Sequence, residues 1–297
     1  MLRIYDMTLR DGLQSISKVF TCCQRFQMFQ QIQKHLHYPN VYYEVGSTTS
    51  EKLLPQMKDS LTLYSQLSRS SNSTYGILST QQKLLDKLIY QKIQGIGFVA
   101  SLSNDFASKN LRCSSLSSFD TVFSHLQHAH ILSKSYGYIP YFRIYISCTF
   151  GCRYESYTSE HKKTLREQVQ RYYEWFQQNH YTSNHADIVL ADTYGFCSPE
   201  QVKDVLMELK DNVSLTPYLA LHLHTKSDEF KKPIDLGLQF GIHKFDTSIG
   251  GIGGCPYADK SIGNLSTGKL LTHVYGKRYN DIIEFEQEFK KEWLSFL

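Results

Sequence analysis

The chain has 297 residues, with 32 basic and 28 acidic side chains and a net charge of only +4. This length allows one large barrel or two small domains, and no linker rich in glycine, serine or charge divides it, so a single domain is favoured. Because the sequence has no extended run of lysine or arginine, it gives no indication of a nucleic-acid partner.

Short apolar runs alternate with longer amphipathic stretches along the whole chain. Eight runs predict strands, at residues 2–6, 41–45, 75–78, 95–100, 141–148, 187–191, 218–222 and 244–247. Amphipathic stretches predict helices at 23–35, 81–91, 118–135, 159–178, 200–210 and 228–240. Repeated strand-then-helix units favour an α/β protein with a closed (β/α)8 barrel, the TIM-barrel architecture. We expect residues 1–275 to form the barrel and 276–297 a C-terminal helical extension, packed on the barrel or on a partner subunit.

The ends of the chain and its cysteines bear on location. Residues 1–6 enter a predicted strand at once, so we expect no signal or transit sequence, and no apolar run reaches membrane-spanning length. These features predict a soluble cytoplasmic protein. The seven cysteines show no zinc-ribbon spacing and are expected to be free thiols. Cys148 and Cys152 could form a small disulfide or hold a metal, but in a reducing compartment such thiols are usually inert.

Two histidines, His222 and His224, fall at the end of the seventh predicted strand. Alternate residues of a strand point to one face, so a single metal ion could meet both imidazoles. Two hydrogen-bonded structural histidines are an equally good interpretation of this pair in isolation.

Several polar residues lie near the end of a predicted strand or just after it, and the carboxyl ends of barrel strands meet at one mouth. They are Arg10, Asp11, Glu44, Asp192, His222, His224 and the segment 250–264. Two imidazoles, a carboxylate and an amide such as that of Asn264 are typical of Mg2+ or Mn2+ sites, with Zn2+ as the alternative. Sodium, or no ion at all with a structural Arg10–Asp11 ion pair, also remains open.

Four side chains are candidates for chemistry. Arg10 beside a metal-bound carboxylate could stabilise an enolate, and Glu44 and Asp192 are single carboxylates at strand ends. Cys255 lies on the glycine-rich segment 248–257, where a mobile loop could present it as an acid, a base or a nucleophile, or simply as an ordinary thiol.

Residues 5–14, Tyr-Asp-Met-Thr-Leu-Arg-Asp-Gly-Leu-Gln, resemble the signature of the metallolyase barrels. These include isopropylmalate synthase, homocitrate synthase and 3-hydroxy-3-methylglutaryl-CoA lyase. Residues 250–258 and 263–265 are similar to the cysteine signature of the lyase, which the condensing relatives lack. The segments 43–45, 54–57, 147–152 and 191–195 also fit the lyase pattern.

The resemblance implies a divalent cation, Mg2+ or Mn2+, and an acyl-CoA substrate. It assigns the metal to Asp11, His222, His224 and Asn264, and it gives catalytic roles to Arg10, Cys255, Asp192 and Glu44. The implied reaction is a retro-Claisen cleavage to acetyl-CoA and acetoacetate, that of an oxo-acid lyase. A homodimer is expected.

Two other functions stay open on the same scaffold. One is the condensation of acetyl-CoA with a 2-oxo acid, and the other is a catalytically silent binding protein. The sequence departs from the family pattern at Ser15-Ile16, at 225–228 and at Gly268, where the lyases carry a glutamate.

Overall fold

The computed structural model describes residues 1–67, 73–225, 229–254 and 262–295, with Thr225 described by its backbone alone. Eight parallel strands form a closed barrel. They are β1 (Arg3–Asp6), β2 (Tyr42–Ser47), β3 (Thr74–Leu78), β4 (Gly95–Ser101), β5 (Tyr141–Ser147), β6 (Ala186–Ala191), β7 (Leu219–His222) and β8 (Lys244–Thr247). The barrel closes where β8 pairs with β1, from Lys244 opposite Arg3 to Thr247 opposite Asp6. The predicted (β/α)8 barrel is confirmed, and every predicted strand overlaps an observed one.

A helix follows each strand, and one more ends the chain. They are α1 (Cys22–His35), α2 (Ser60–Gln66), α3 (Gln82–Tyr90), α4 (Ser115–Ser135), α5 (Ser159–Gln178), α6 (Pro199–Glu208), α7 (Lys231–Gln239), α8 (Thr267–Tyr275) and α9 (Asn280–Leu294). Short helical turns occur at Thr8–Gly12, Pro55–Met57, Asn104–Phe106, Ala107–Leu111, Val213–Tyr218, Ile249–Gly251 and Lys277–Tyr279. The helices α2 and α8 are not among the six predicted ones, and α2, with seven residues, has few turns over which a period can show.

Local signals define where several helices begin. The side chains of Thr21 and Ser198 each accept a hydrogen bond from the backbone N–H of the glutamine three residues later. The side chain of that glutamine in turn accepts from the backbone N–H of the capping residue. Pro199 occupies the first position of α6, where a missing N–H costs nothing.

The barrel interior holds tyrosines and ion pairs, while the apolar core lies between strands and helices. Tyr5, Tyr42 and Tyr141 pack together inside the barrel. Space for the Tyr42 ring depends on glycine, since a Cβ at Gly76 would lie 1.9 Å from its hydroxyl oxygen.

The C-terminal helix α9 lies across α1 and α8. The Phe285 ring stacks on His35 with centroids 4.3 Å apart, and Trp293 Nε1 donates to Gln31 Oε1 at 2.8 Å. The predicted C-terminal helix is therefore present, while the domain boundary at 275 stays a prediction. None of the helices in the described ranges is both long and apolar enough to cross a membrane.

Candidate active site

The first functional segment is the helical turn Thr8–Gly12, directly after β1. Asp6 anchors it, since its carboxylate accepts from Thr8 N at 3.2 Å and from Thr8 Oγ1 at 2.8 Å. Gly12 N donates back to Met7 O at 2.9 Å. Because the chain turns at once after the strand, Arg10 and Asp11 remain over the barrel mouth and are buried.

Three donor atoms converge there. His222 Nε2 lies 3.0 Å from His224 Nε2, and Asp11 Oδ2 lies 3.9 and 3.7 Å from these two atoms. The three residues are 5%, 4% and 3% exposed, so bulk water does not separate them. This arrangement brings together residues that are more than 200 positions apart in the sequence, as the strand-end argument predicts.

Asn264 joins the group through a short antiparallel ladder, in which His224–Thr225 pairs with Gly263–Asn264. Asn264 lies directly opposite His224, and its Nδ2 donates to Asp11 Oδ2 at 2.8 Å and to Ile252 O at 3.0 Å. We call Asp11, His222, His224 and Asn264 the mouth cluster.

The donor chemistry of the mouth cluster fits a divalent cation. His222 Nδ1 lies 3.0 Å from Asp246 Oδ2, and a carboxylate there keeps the hydrogen on Nδ1. The lone pair of Nε2 is then directed towards His224 and Asp11. One ligand atom each from Asp11, His222 and His224 lies within 4.8 Å of the others, which suits coordination of one ion.

Arg10 lies between two carboxylates beside this group. Its Nη1 donates to Asp11 Oδ1 at 2.6 Å, its Nε donates to Glu44 Oε2, and Glu44 also accepts from Tyr145 Oη at 3.1 Å. Burial disfavours the charged form of Asp11, but the charge of Arg10 and the two histidines outweigh it and hold the pKa of Asp11 well below its usual range. Asp11 is therefore an anion over the whole ordinary pH range.

A second polar layer lies below the mouth cluster, and motif reasoning did not find it. Arg143 Nη2 donates to Asp246 Oδ1 at 2.6 Å, and its Nε donates to Asp187 Oδ2 at 3.2 Å. Lys244 Nζ donates to Asp187 Oδ1 at 2.5 Å. We call Arg143, Asp187, Lys244 and Asp246 the lower ion-pair layer. Its signal in the sequence is a charged residue inside a predicted strand that is otherwise apolar.

The remaining predicted residues lie in different surroundings. Asp192 accepts from the backbone N–H groups of Phe196 and Cys197, at 2.8 and 3.1 Å, so its carboxylate holds the loop after β6. Glu44 contacts Arg10, as described above. Cys255 lies outside the described residues, and its predicted role stays a prediction.

At Gly268, where the lyase pattern has a glutamate, the structure places a carboxylate from elsewhere in the chain. Glu286 on α9 accepts from Gly268 N at 2.8 Å and from Ser266 Oγ at 2.7 Å. A Cβ on Gly268 would lie 3.0 Å from Glu286 Oε2. The carboxylate of Glu286 therefore occupies space that a side chain at position 268 would need.

Fold and site together define the metallolyase class of (β/α)8 barrels, a class of metal-site barrel enzymes that includes carbon–carbon lyases. The family model described as HMGL-like matches residues 1–290, and the chain belongs to this family. It is a carbon–carbon lyase, as predicted.

Curated relatives agree over most of the chain. The mitochondrial hydroxymethylglutaryl-CoA lyase of Mus musculus is 27% identical over 275 residues, which cover 93% of this chain and 78% of that protein. The cytoplasmic 3-hydroxy-3-methylglutaryl-CoA lyase of Rattus norvegicus is 26% identical over 290 residues, which cover 96% of this chain and 78% of that protein. Since the relatives include mitochondrial and cytoplasmic proteins, the location of this enzyme stays a prediction.

Solved structures confirm the fold. The HMG-CoA lyase of Brucella melitensis superposes with a TM-score of 0.80 at 22% identity, covering 98% of each chain. An HMG-CoA lyase from Acinetobacter baumannii, in complex with coenzyme A and 3-methylmalate, gives a TM-score of 0.78 at 21% identity, covering 98% of this chain and 90% of that one.

Proposed function

We propose that this enzyme cleaves 3-hydroxy-3-methylglutaryl-CoA, or a close acyl-CoA homologue, to acetyl-CoA and acetoacetate, with Mg2+ or Mn2+ as cofactor. The observation that carries the proposal is the convergence of two imidazole Nε2 atoms and the Asp11 carboxylate beside the Arg10 guanidinium. A retro-Claisen cleavage needs a cation to hold substrate oxygens and a second positive group for the developing enolate.

The proposed metal ligands are the four residues of the mouth cluster. Their nitrogen and oxygen donors, without a thiolate, favour Mg2+ or Mn2+. The bound cation would polarise the substrate oxygen atoms. Asp246 keeps His222 in the tautomer that ligation needs, and Asp11 is already ionised.

Arg10 is the proposed electrostatic group for the enolate. Glu44 and Asp11 hold its guanidinium from two sides, so it is oriented before substrate binds and little reorganisation is needed during reaction. Glu44 then acts mainly by positioning Arg10, and Asp192 by holding the loop beside the mouth cluster. We retain Cys255 as the proposed proton-transfer group.

The test is direct measurement of acetyl-CoA. Purified enzyme with Mn2+ should release acetyl-CoA from 3-hydroxy-3-methylglutaryl-CoA, and Arg10→Met should bind Mn2+ but lose most of this activity. Release of free coenzyme A from acetyl-CoA and 2-oxo acids instead would favour the condensing reaction. A folded chain that binds no divalent cation at micromolar concentration would favour a silent binding protein.

We also propose a homodimer in the cytoplasm. Sedimentation equilibrium of the purified protein tests the oligomeric state, and fractionation of the native host tests the location. A monomer at micromolar concentration or recovery in an organelle would contradict these two proposals without affecting the proposed reaction.

A further inference from the structure

The turn after β5, residues 148–152, holds two thiols in contact at the barrel mouth. The thiols of Cys148 and Cys152 influence each other electrostatically, and both cysteines are free. Cys148 is buried and Cys152 is partly exposed. The chain turns back sharply because Cys148 and Gly151 have positive φ values of 60° and 128°. A buried thiol therefore lies beside an accessible one.

Polar groups surround the accessible sulfur. Ser103 Oγ donates to Cys152 Sγ at 3.1 Å, and the backbone of Tyr154 and Glu155 also favours the thiolate. With the Cys148 thiol, these groups favour the thiolate over the thiol. The Cys148 thiol is the largest influence, and against the effect of burial these groups lower the pKa of Cys152 to about 6.

Two charged groups near this turn, Glu155 and Lys109, contact other side chains. The Glu155 carboxylate lies 2.9 Å from His161 Nε2 and accepts from the backbone N–H of Asp105 at 3.2 Å. Lys109 Nζ lies 3.5 Å from the centroid of the Tyr154 ring. The thiolate is therefore stabilised mainly by neutral groups, and its stability should depend little on salt.

Cys152 is also reachable by a sizeable molecule. It lines an open groove of about 770 Å³ together with Tyr154, Tyr194 and Phe196. The groove has room for a small disulfide to approach the sulfur, while Cys148 stays covered beneath it.

We propose that Cys152 is a thiol-modification site and that Cys148 is its resolving partner, so that small-molecule disulfides convert the pair to an internal disulfide. In the first step the Cys152 thiolate attacks RSSR, forms a Cys152–SR bond and releases RS⁻. In the second step Cys148 gives its proton to the RS⁻ released first and attacks Cys152 Sγ, which forms the Cys148–Cys152 bond and releases the second RS⁻. The two protein thiols are oxidised and one disulfide is reduced to two thiols. This inference does not depend on the proposed reaction.

Glutathione disulfide and mass spectrometry of the full chain test the proposal. The wild-type enzyme should lose two hydrogen atoms, located to the peptide with residues 148–152. Cys148→Ser should instead keep one glutathione on Cys152, and Cys152→Ser should show neither product at this peptide. Cys113→Ser is the matched control, because Cys113 is also partly exposed but burial raises its pKa, and it should behave as wild type.

A second measurement does not require the Cys148→Ser and Cys152→Ser variants to fold. At pH 7 iodoacetamide should alkylate Cys152 about tenfold faster than Cys113, since a larger thiolate fraction outweighs its lower nucleophilicity. Ser103→Ala should move the alkylation midpoint of Cys152 to higher pH. Equal alkylation rates at Cys152 and Cys113, or a stable glutathione adduct on Cys152 in the wild-type enzyme, would overturn the proposal.

Discussion

The mouth cluster and the lower ion-pair layer are neighbouring polar groups inside one barrel, and they differ in how their charges are balanced. In the lower layer, Arg143 and Lys244 face two carboxylates at hydrogen-bond distance. At the mouth, Arg10 alone faces two carboxylates, and two imidazole nitrogens lie 3.0 Å apart.

This difference separates a structural site from a functional one. A buried ion pair is tolerable only when each charge meets its partner, which is the case in the lower layer. The mouth has an excess of electron-pair donors, a pattern that a bound cation would complete. His222 links the mouth cluster to the lower ion-pair layer, since its Nδ1 faces Asp246 and its Nε2 faces His224.

Removal of a mouth imidazole should have the largest effect on function and a small one on folding. In His222→Ala we expect the Mn2+ affinity and the rate of acetyl-CoA release to fall. Each should fall by more than the roughly 10- to 100-fold that is typical when a residue that only orients a metal ligand is changed. Isothermal titration with Mn2+ and the lyase assay measure this. His273→Ala is the control, because His273 pairs with Asp235 on the helix layer and should leave both unchanged.

A substitution in the lower ion-pair layer should instead have its largest effect on folding stability. Arg143→Met leaves Asp187 and Asp246 buried without this cation, and the free energy of unfolding should fall by about 3–5 kcal/mol. Urea denaturation measures it. The surface pair of Arg166 with Glu208 gives a matched control, and Arg166→Met should cost at most about 1 kcal/mol. Equal losses in the two variants would contradict the structural role of the lower layer.

Asp246→Asn tests the connection between the lower ion-pair layer and the mouth cluster. The amide keeps the shape but no longer favours the Nδ1–H tautomer of His222, so Mn2+ affinity should fall about 10- to 100-fold. Unchanged affinity in a folded variant would show that Asp246 serves the lower layer alone.

Asp6 offers a fourth, smaller test, because it is buried and its hydrogen bonds in the described structure come from Thr8 rather than from a cation. Burial raises the pKa of Asp6 to about 7, above its ordinary value of 3.8. Between these values the folded state binds more protons than the unfolded state, so this carboxyl makes stability fall as pH rises from about 4 to about 7. Asp6→Asn should flatten that fall in urea midpoints measured from pH 4 to 8. An unchanged slope would show that Asp6 is already ionised at low pH.

Much of the site was predictable because its residues follow strands. Asp11, Asp192, His222 and His224 each lie at or just after a strand end, and parallel closure carries all such ends to one mouth. Glu44 was predicted near the end of its strand, but it lies inside β2, which continues to Ser47. The lower ion-pair layer was not predicted, since a lone charge in a strand does not reveal its partner on another strand.

The sequence by itself determined the barrel, its strand order and the group of donors at its mouth. The spacing of apolar residues and the position of a polar residue at the end of a strand are local properties of the sequence, and closure of the barrel brings those strand ends together. Only the tertiary structure decided which charges meet. It paired Arg143 with Asp246, brought the Glu286 carboxylate from α9 to Gly268, and placed the Ser103 hydroxyl against Cys152 Sγ. These contacts depend on side-chain distances of a few ångströms between separate elements, which no pattern within one segment can specify.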